Sequence, residues 1–236
     1  MWGSTCSRYA ICLARQGESN RRVVMIHAIA ESMPPTRLAF QEVFPEAELV
    51  NLLDEGLFLD FGDRLTPQLR RRMTQLICYG AEHGAQAIGL ACSVYTPMVE
   101  MVRSVVDVPV VSSYGPVMAE AVQAGRRVGL LAAVPATLRD AESFLQHAAR
   151  DHGVQVEAYP RLAEDLMLVK RRDGEAAFCG RLAEEVDRLA PQVDAVLLTQ
   201  FSMASALSHL RTVSSVPVLS APHSSAHRLK EVLSAS

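Results

Sequence analysis

The stretch from Ala87 to Met98 reads AIGLACSVYTPM: an apolar run that stops at a cysteine and continues in hydroxyls. A buried strand ending there puts the Cys92 thiol at a strand's carboxyl end, the side of a parallel sheet where ligands bind. A helix starting near Thr96-Pro97 would turn its positive end toward the sulfur and favour thiolate over the reference pKa of about 8.5. Ser93, Tyr95 and Thr96 add donors able to hold a carboxylate. The competing reading is a buried cysteine that only terminates a core strand, a common fate of free cysteines.

Positioning such a thiol requires a parallel sheet, and the chain is patterned for one. Short Val/Ile/Leu runs fall at 21–28, 47–53, 86–92, 108–113, 126–133, 154–159, 194–200 and 216–221, with helical patterns between them. Strands alternating with helices read as an α/β fold with crossover connections. Thr66 is an N-cap with Pro67 at the first helical position, and Leu69, Met73, Leu76, Ile77 and Gly80 follow at helical spacing before Gly84 ends the run. Phe178, Leu182, Val186 and Leu189 repeat that spacing, and Pro191 stops it.

The two halves align with each other. RRVVMIHA matches RRVGLLAA, QAIGLACSVYTPM matches DAVLLTQFSMASA, and DVPVVSS matches SVPVLSA, at a shift of about a hundred residues. The duplication predicts two pseudo-symmetric lobes, each a short parallel sheet flanked by helices, with strand ends meeting between them. The first lobe is expected to take residues 21–107 plus 215–236 and the second 108–214. Residues 1–20 have no clear period and read as a poorly ordered extension or a mis-set start. In this alignment Gln200 stands where the first half has Cys92, flanked by Thr199, Phe201 and Ser202.

Bulk properties exclude several classes of function. With 236 residues, 49% hydrophobic and 21% charged, the chain can bury a full core. A net charge of -3 argues against a nucleic-acid partner, and the clusters Arg70-Arg71-Arg72 and Lys170-Arg171-Arg172 read as solvated helix faces. Five unevenly spaced cysteines with no C-x-x-C pair, and no secretory pattern, point to the reducing cytoplasm. No apolar run is long enough to cross a bilayer, so no membrane role is expected. His223 and His227 are spaced i,i+4, but HSSAH lacks a neighbouring acid and a third ligand, so no metal is expected. Without G-x-G-x-x-G or G-K-[ST], no nucleotide cofactor is indicated.

The duplicated strand ends, with a cysteine after the third strand and hydroxyls behind it, resemble the aspartate/glutamate (hydantoin) racemase superfamily, which includes maleate isomerases and arylmalonate decarboxylases. IHAIAESMPP, GLACSVYTP, GRRVGLLAAVPAT and AVLLTQFSMA carry the resemblance over roughly residues 21–236. It implies a cofactor-independent enzyme in which one cysteine from each lobe moves a proton at a substrate carbon. Cys92 matches the first cysteine; Gln200 replaces the second, making this a single-cysteine variant, and a carboxamide cannot serve as a base at ordinary pH. At the first strand's end, typical members carry an acid and a serine where this chain has His27 and Ala28.

Cys92 is therefore expected to act on a small carboxylate as proton carrier or nucleophile, with Gln200 and Ser202 on the opposing face. His27, Ser93, Tyr95, Ser112 and Thr137 are the candidate substrate contacts, though His27 could equally be a structural histidine and the hydroxyls helix caps. Racemase or isomerase chemistry is expected first. Decarboxylation of a malonate-type acid with one protonating thiol stands as an alternative, as does a carboxylate-binding protein without catalysis. The resemblance also implies self-association into a homo-oligomer.

Overall fold

A computed structural model describes residues 21–62 and 64–235; the expected N-terminal extension, 1–20, lies outside the described residues. Among the described residues eight strands form two parallel sheets of four. The first has β1 (Arg22–His27), β2 (Glu48–Leu53), β3 (Ala87–Leu90) and β4 (Val110–Val111) in the order β2-β1-β3-β4. The second repeats that order as β6-β5-β7-β8, from β5 (Arg127–Ala132), β6 (Glu157–Leu162), β7 (Ala195–Leu198) and β8 (Val218–Ser220). The fold is thus α/β with two matching lobes.

Helices cover the sheets: α1 (Met33–Val43), α2 (Gly56–Leu59), α3 (Pro67–Glu82), α4 (Met98–Val102), α5 (Tyr114–Ala124), α6 (Pro135–Asp151), α7 (Leu166–Leu189), α8 (Leu207–Val213) and α9 (Ala221–Ser234). α3 starts where Thr66 accepts a hydrogen bond from the Leu69 N–H at 3.2 Å, and it ends at Gly84, whose φ of 84° suits glycine. Leu69, Met73 and Ile77 bury its inner face against Val24, Ile26 and Ile88. Each such side chain contributes about 1.5–3 kcal/mol. A second core lies under α7 and α8, and a third, containing Met25, Phe40, Leu130, Leu145, Leu197 and Leu229, is shared by both lobes.

The partition between lobes differs from the expected boundaries at 107/108 and 214/215. Gly89 pairs with Val111, and Leu198 with Ser220, so β4 stays with the first sheet and β8 with the second. Only the helices that follow change sides: α5 packs on β7 and β8, and α9 on β3 and β4. A strand is held by its backbone ladder, so the chain crosses over only where that ladder ends.

β6 runs from Glu157 to Leu162 rather than over the expected 154–159. It carries Pro160, which an edge strand tolerates because one side of its backbone has no ladder to complete. α7 begins earlier than the Phe178 periodicity suggests, at Leu166, and bends at Gly174, where φ is 88°.

Candidate active site

Cys92 lies two residues beyond β3 with extended backbone angles and caps a short 3-10 turn, Ser93–Tyr95. Gln200 does the same beyond β7, capping the turn Phe201–Ala206. The turns close alike, with the Tyr95 N–H donating to the Cys92 carbonyl at 3.2 Å and the Met203 N–H to that of Gln200 at 3.1 Å.

The phenol of Tyr114, a fully buried residue at the start of α5, links the two turns. Its hydroxyl faces the Thr199 carbonyl at 3.2 Å and the Thr137 carbonyl at 3.4 Å, with the Ser93 side chain beside it. Ser93 follows Cys92 and Thr199 precedes Gln200. One side chain therefore ties the Cys92 turn of the first lobe to the Gln200 strand end and α6 of the second. Tyr114 was not among the expected site residues. The available signal was a bulky polar residue directly after VVSS, where the second repeat has Pro222.

The thiolate expected at Cys92 is not what this environment favours. The residue is half-buried, and desolvation of its sulfur pushes the thiol up to about 11, with the nearby Asp140 carboxylate pushing the same way and the Val94 N–H opposing. Only a three-residue turn follows it, and α4 does not begin until Met98, so the helix expected directly after the cysteine does not start at the sulfur. At neutral pH Cys92 is a thiol.

The other expected residues fall into two groups. Ser93 and Thr137 meet at Tyr114, next to Cys92. Gln200 is close by, with its Oε1 accepting from the Ala133 N–H at 2.8 Å. His27, by contrast, is wholly buried inside the first lobe, its Nδ1 at 2.6 Å from the Ser32 hydroxyl and its Nε2 at 2.8 Å from Asn51 Oδ1. Burial lowers its pKa to about 4, against the pull of the Asn51 hydrogen bond, so it is neutral. Tyr95 also points inward and donates to the Leu57 carbonyl at 2.7 Å.

Ser112 accepts from the Gly115 N–H at 2.9 Å, which is a helix cap. Ser202 is buried against Met167, and its carbonyl accepts from Lys170 at 3.2 Å. His223, the first histidine of HSSAH, lies 2.7 Å from the Ser220 hydroxyl and 3.1 Å from Glu42. A broad open groove runs along α4, β4, α5 and α9; Tyr114 lines it and Cys92 does not.

One residue with no signal in its spacing joins the site. Asp140 lies one helical turn beyond Thr137 on α6, half-buried, and its charge is felt at both Cys92 and Tyr114. Burial raises its own pKa, and Arg139 opposes that shift.

The Asp/Glu/Hydantoin racemase family model matches residues 62–178, a stretch that contains Cys92, Tyr114, Thr137 and Asp140 and stops before Gln200. Among solved structures, allantoin racemase from Klebsiella pneumoniae is 18% identical, with a TM-score of 0.71 over 91% of this chain and 88% of that one. A glutamate racemase from Bacillus anthracis is 12% identical, with a TM-score of 0.72 over 92% of this chain and 83% of that one. Picrophilus torridus aspartate racemase is 14% identical, with a TM-score of 0.66 over 91% of this chain and 95% of that one. No curated protein matches in sequence. The matched stretch is similar to the Asp/Glu/hydantoin racemases, and the two-lobe fold is the one that the solved racemases share.

Proposed function

We propose that the protein is a cofactor-independent isomerase that acts on a small carboxylate at the lobe junction, with Cys92 as a proton-transfer group. The observation that carries this reading is the Tyr114 phenol, which holds the Cys92 turn, the end of β7 and the first turn of α6 together. A substrate carboxylate placed there meets the N-terminus of α6, a 17-residue helix whose opening N–H groups and dipole favour an anion. A base of the site takes the proton from the adjacent carbon, and the C–H electron pair moves into the carboxylate as an enediolate that positioned N–H and O–H donors stabilise. The un-ionised thiol of Cys92 then supplies a proton to that carbon.

A lyase reading has one observation in its favour: a lone protonated thiol matches a reaction that consumes one proton after loss of CO2. The two are separated by incubating the protein in deuterated water with allantoin, aspartate, glutamate and phenylmalonate. Exchange or inversion at the α-carbon without gas is the expected result, lost in Cys92→Ala. Release of CO2 with one deuteron retained in the product replaces the isomerase reading with the lyase one. Undiminished turnover in Cys92→Ala ends both.

A further inference from the structure

Inversion at carbon needs a proton taken from one face and returned to the other, and Gln200 cannot do either. Its carboxamide is also tied to β5 through the Ala133 N–H. The second lobe nonetheless brings a titratable group to the junction. Residues three apart share a helix face, so Asp140 lies on the side of α6 where the Thr137 carbonyl meets Tyr114. That helix packs directly on the Ser93–Tyr95 turn. Among the described residues Asp140 is half-buried and makes no hydrogen bond or ion pair, its charged neighbour Arg139 being exposed.

A half-buried carboxylate without a partner costs stability, and the fold gains nothing visible from keeping it. A second unsatisfied group lies on the first-lobe side. Among the described residues the Ser113 hydroxyl, two residues beyond β4 and directly before Tyr114, is buried with no partner. Cys92, beyond the end of β3, and Tyr114, at the start of α5, are the titratable groups that feel the Asp140 charge there, with Arg139 beside it on α6.

We propose that Asp140 is the second proton-transfer group of this site, contributed by the second lobe opposite the Cys92 thiol of the first. The inference rests on the reading of Cys92 given above. In one direction the Asp140 carboxylate takes the α-proton, and the C–H electron pair moves into the substrate carboxylate as an enediolate. The Cys92 S–H then protonates the carbon and is left as thiolate. The enzyme now holds its proton on Asp140 and is set for the opposite enantiomer, with thiolate as base and carboxylic acid as donor. No oxidant, reductant or cofactor enters the balance.

The test compares wild type with Asp140→Asn and Asp140→Ser. The first readout is iodoacetamide labelling of Cys92 against pH, followed on its peptide by mass spectrometry. Removing the carboxylate charge is expected to lower the Cys92 midpoint by about half a unit to one unit, so alkylation at fixed pH quickens about three- to tenfold. The second is α-proton exchange in deuterated water on an acid that the wild type exchanges, expected to fall at least about 100-fold in both variants. Thermal midpoints should not fall, because the carboxylate has no partner to lose. An unchanged Cys92 midpoint overturns the inference, and so does a shifted midpoint with exchange retained. Full exchange in Asp140→Asn with none in Cys92→Ala removes Asp140 alone; full exchange in Cys92→Ala removes the reading of Cys92 itself.

Discussion

The protonation state of Cys92 can be measured without knowing a substrate. Burial carries the thiol from its ordinary 9.0 to about 11. At pH 8 about one molecule in a thousand would then carry thiolate, against about one in ten for an unperturbed thiol, so iodoacetamide labelling should be about 100-fold slower. The same shift acts on stability. The folded chain holds the proton between pH 9 and 11 where the unfolded chain releases it, so stability is lost as pH rises through that window. At about 1.4 kcal/mol per unit the loss approaches about 3 kcal/mol.

Subtracting the urea-denaturation curve of Cys92→Ser from that of the wild type isolates this contribution, because serine does not titrate there. Half-maximal labelling near pH 8.5, or stability curves that stay parallel from pH 8 to 11, would refute the reasoning.

His27 supplies the opposite sign at the acid end. Its imidazole is held neutral down to about pH 4 while the unfolded residue protonates near 6.5, so stability should fall by about 3 kcal/mol as pH drops through that range. Urea midpoints at pH 7 and 4.5 should separate in the wild type and converge in His27→Asn; equal separation in both would remove the assignment. Glu185, fully buried, gathers Arg161, Arg181 and Arg188 and so fastens β6 to α7. Glu185→Gln is expected to cost about 2–3 kcal/mol, less than a fully buried pair because the guanidinium groups keep partial access to water. A change below about 0.5 kcal/mol in urea denaturation contradicts that account.

Much of the architecture was legible because it is written in local periodicity. The apolar runs and the Thr66-Pro67 to Gly84 punctuation are short-range signals, and α3 occupies the segment they bracket. The duplication carries a second kind of information, since the aligned halves put Cys92 and Gln200 at equivalent strand ends. Both residues cap corresponding 3-10 turns. The handover points at β4 and β8 were less legible, because pairing a two- or three-residue strand with its neighbour leaves little trace in hydrophobic pattern.

The sequence by itself determined the α/β class, the repeat, and a thiol and an amide at equivalent strand ends, since each depends on residue order along one chain. The direction in which side chains turn, and the charge they carry, came only from tertiary packing. His27 and Tyr95 face inward, and the Tyr114 phenol reaches three separate segments. Cys92 keeps its proton beside an unpaired Asp140. These outcomes depend on desolvation by groups far apart in sequence, a quantity that exists only once the two lobes have closed on each other.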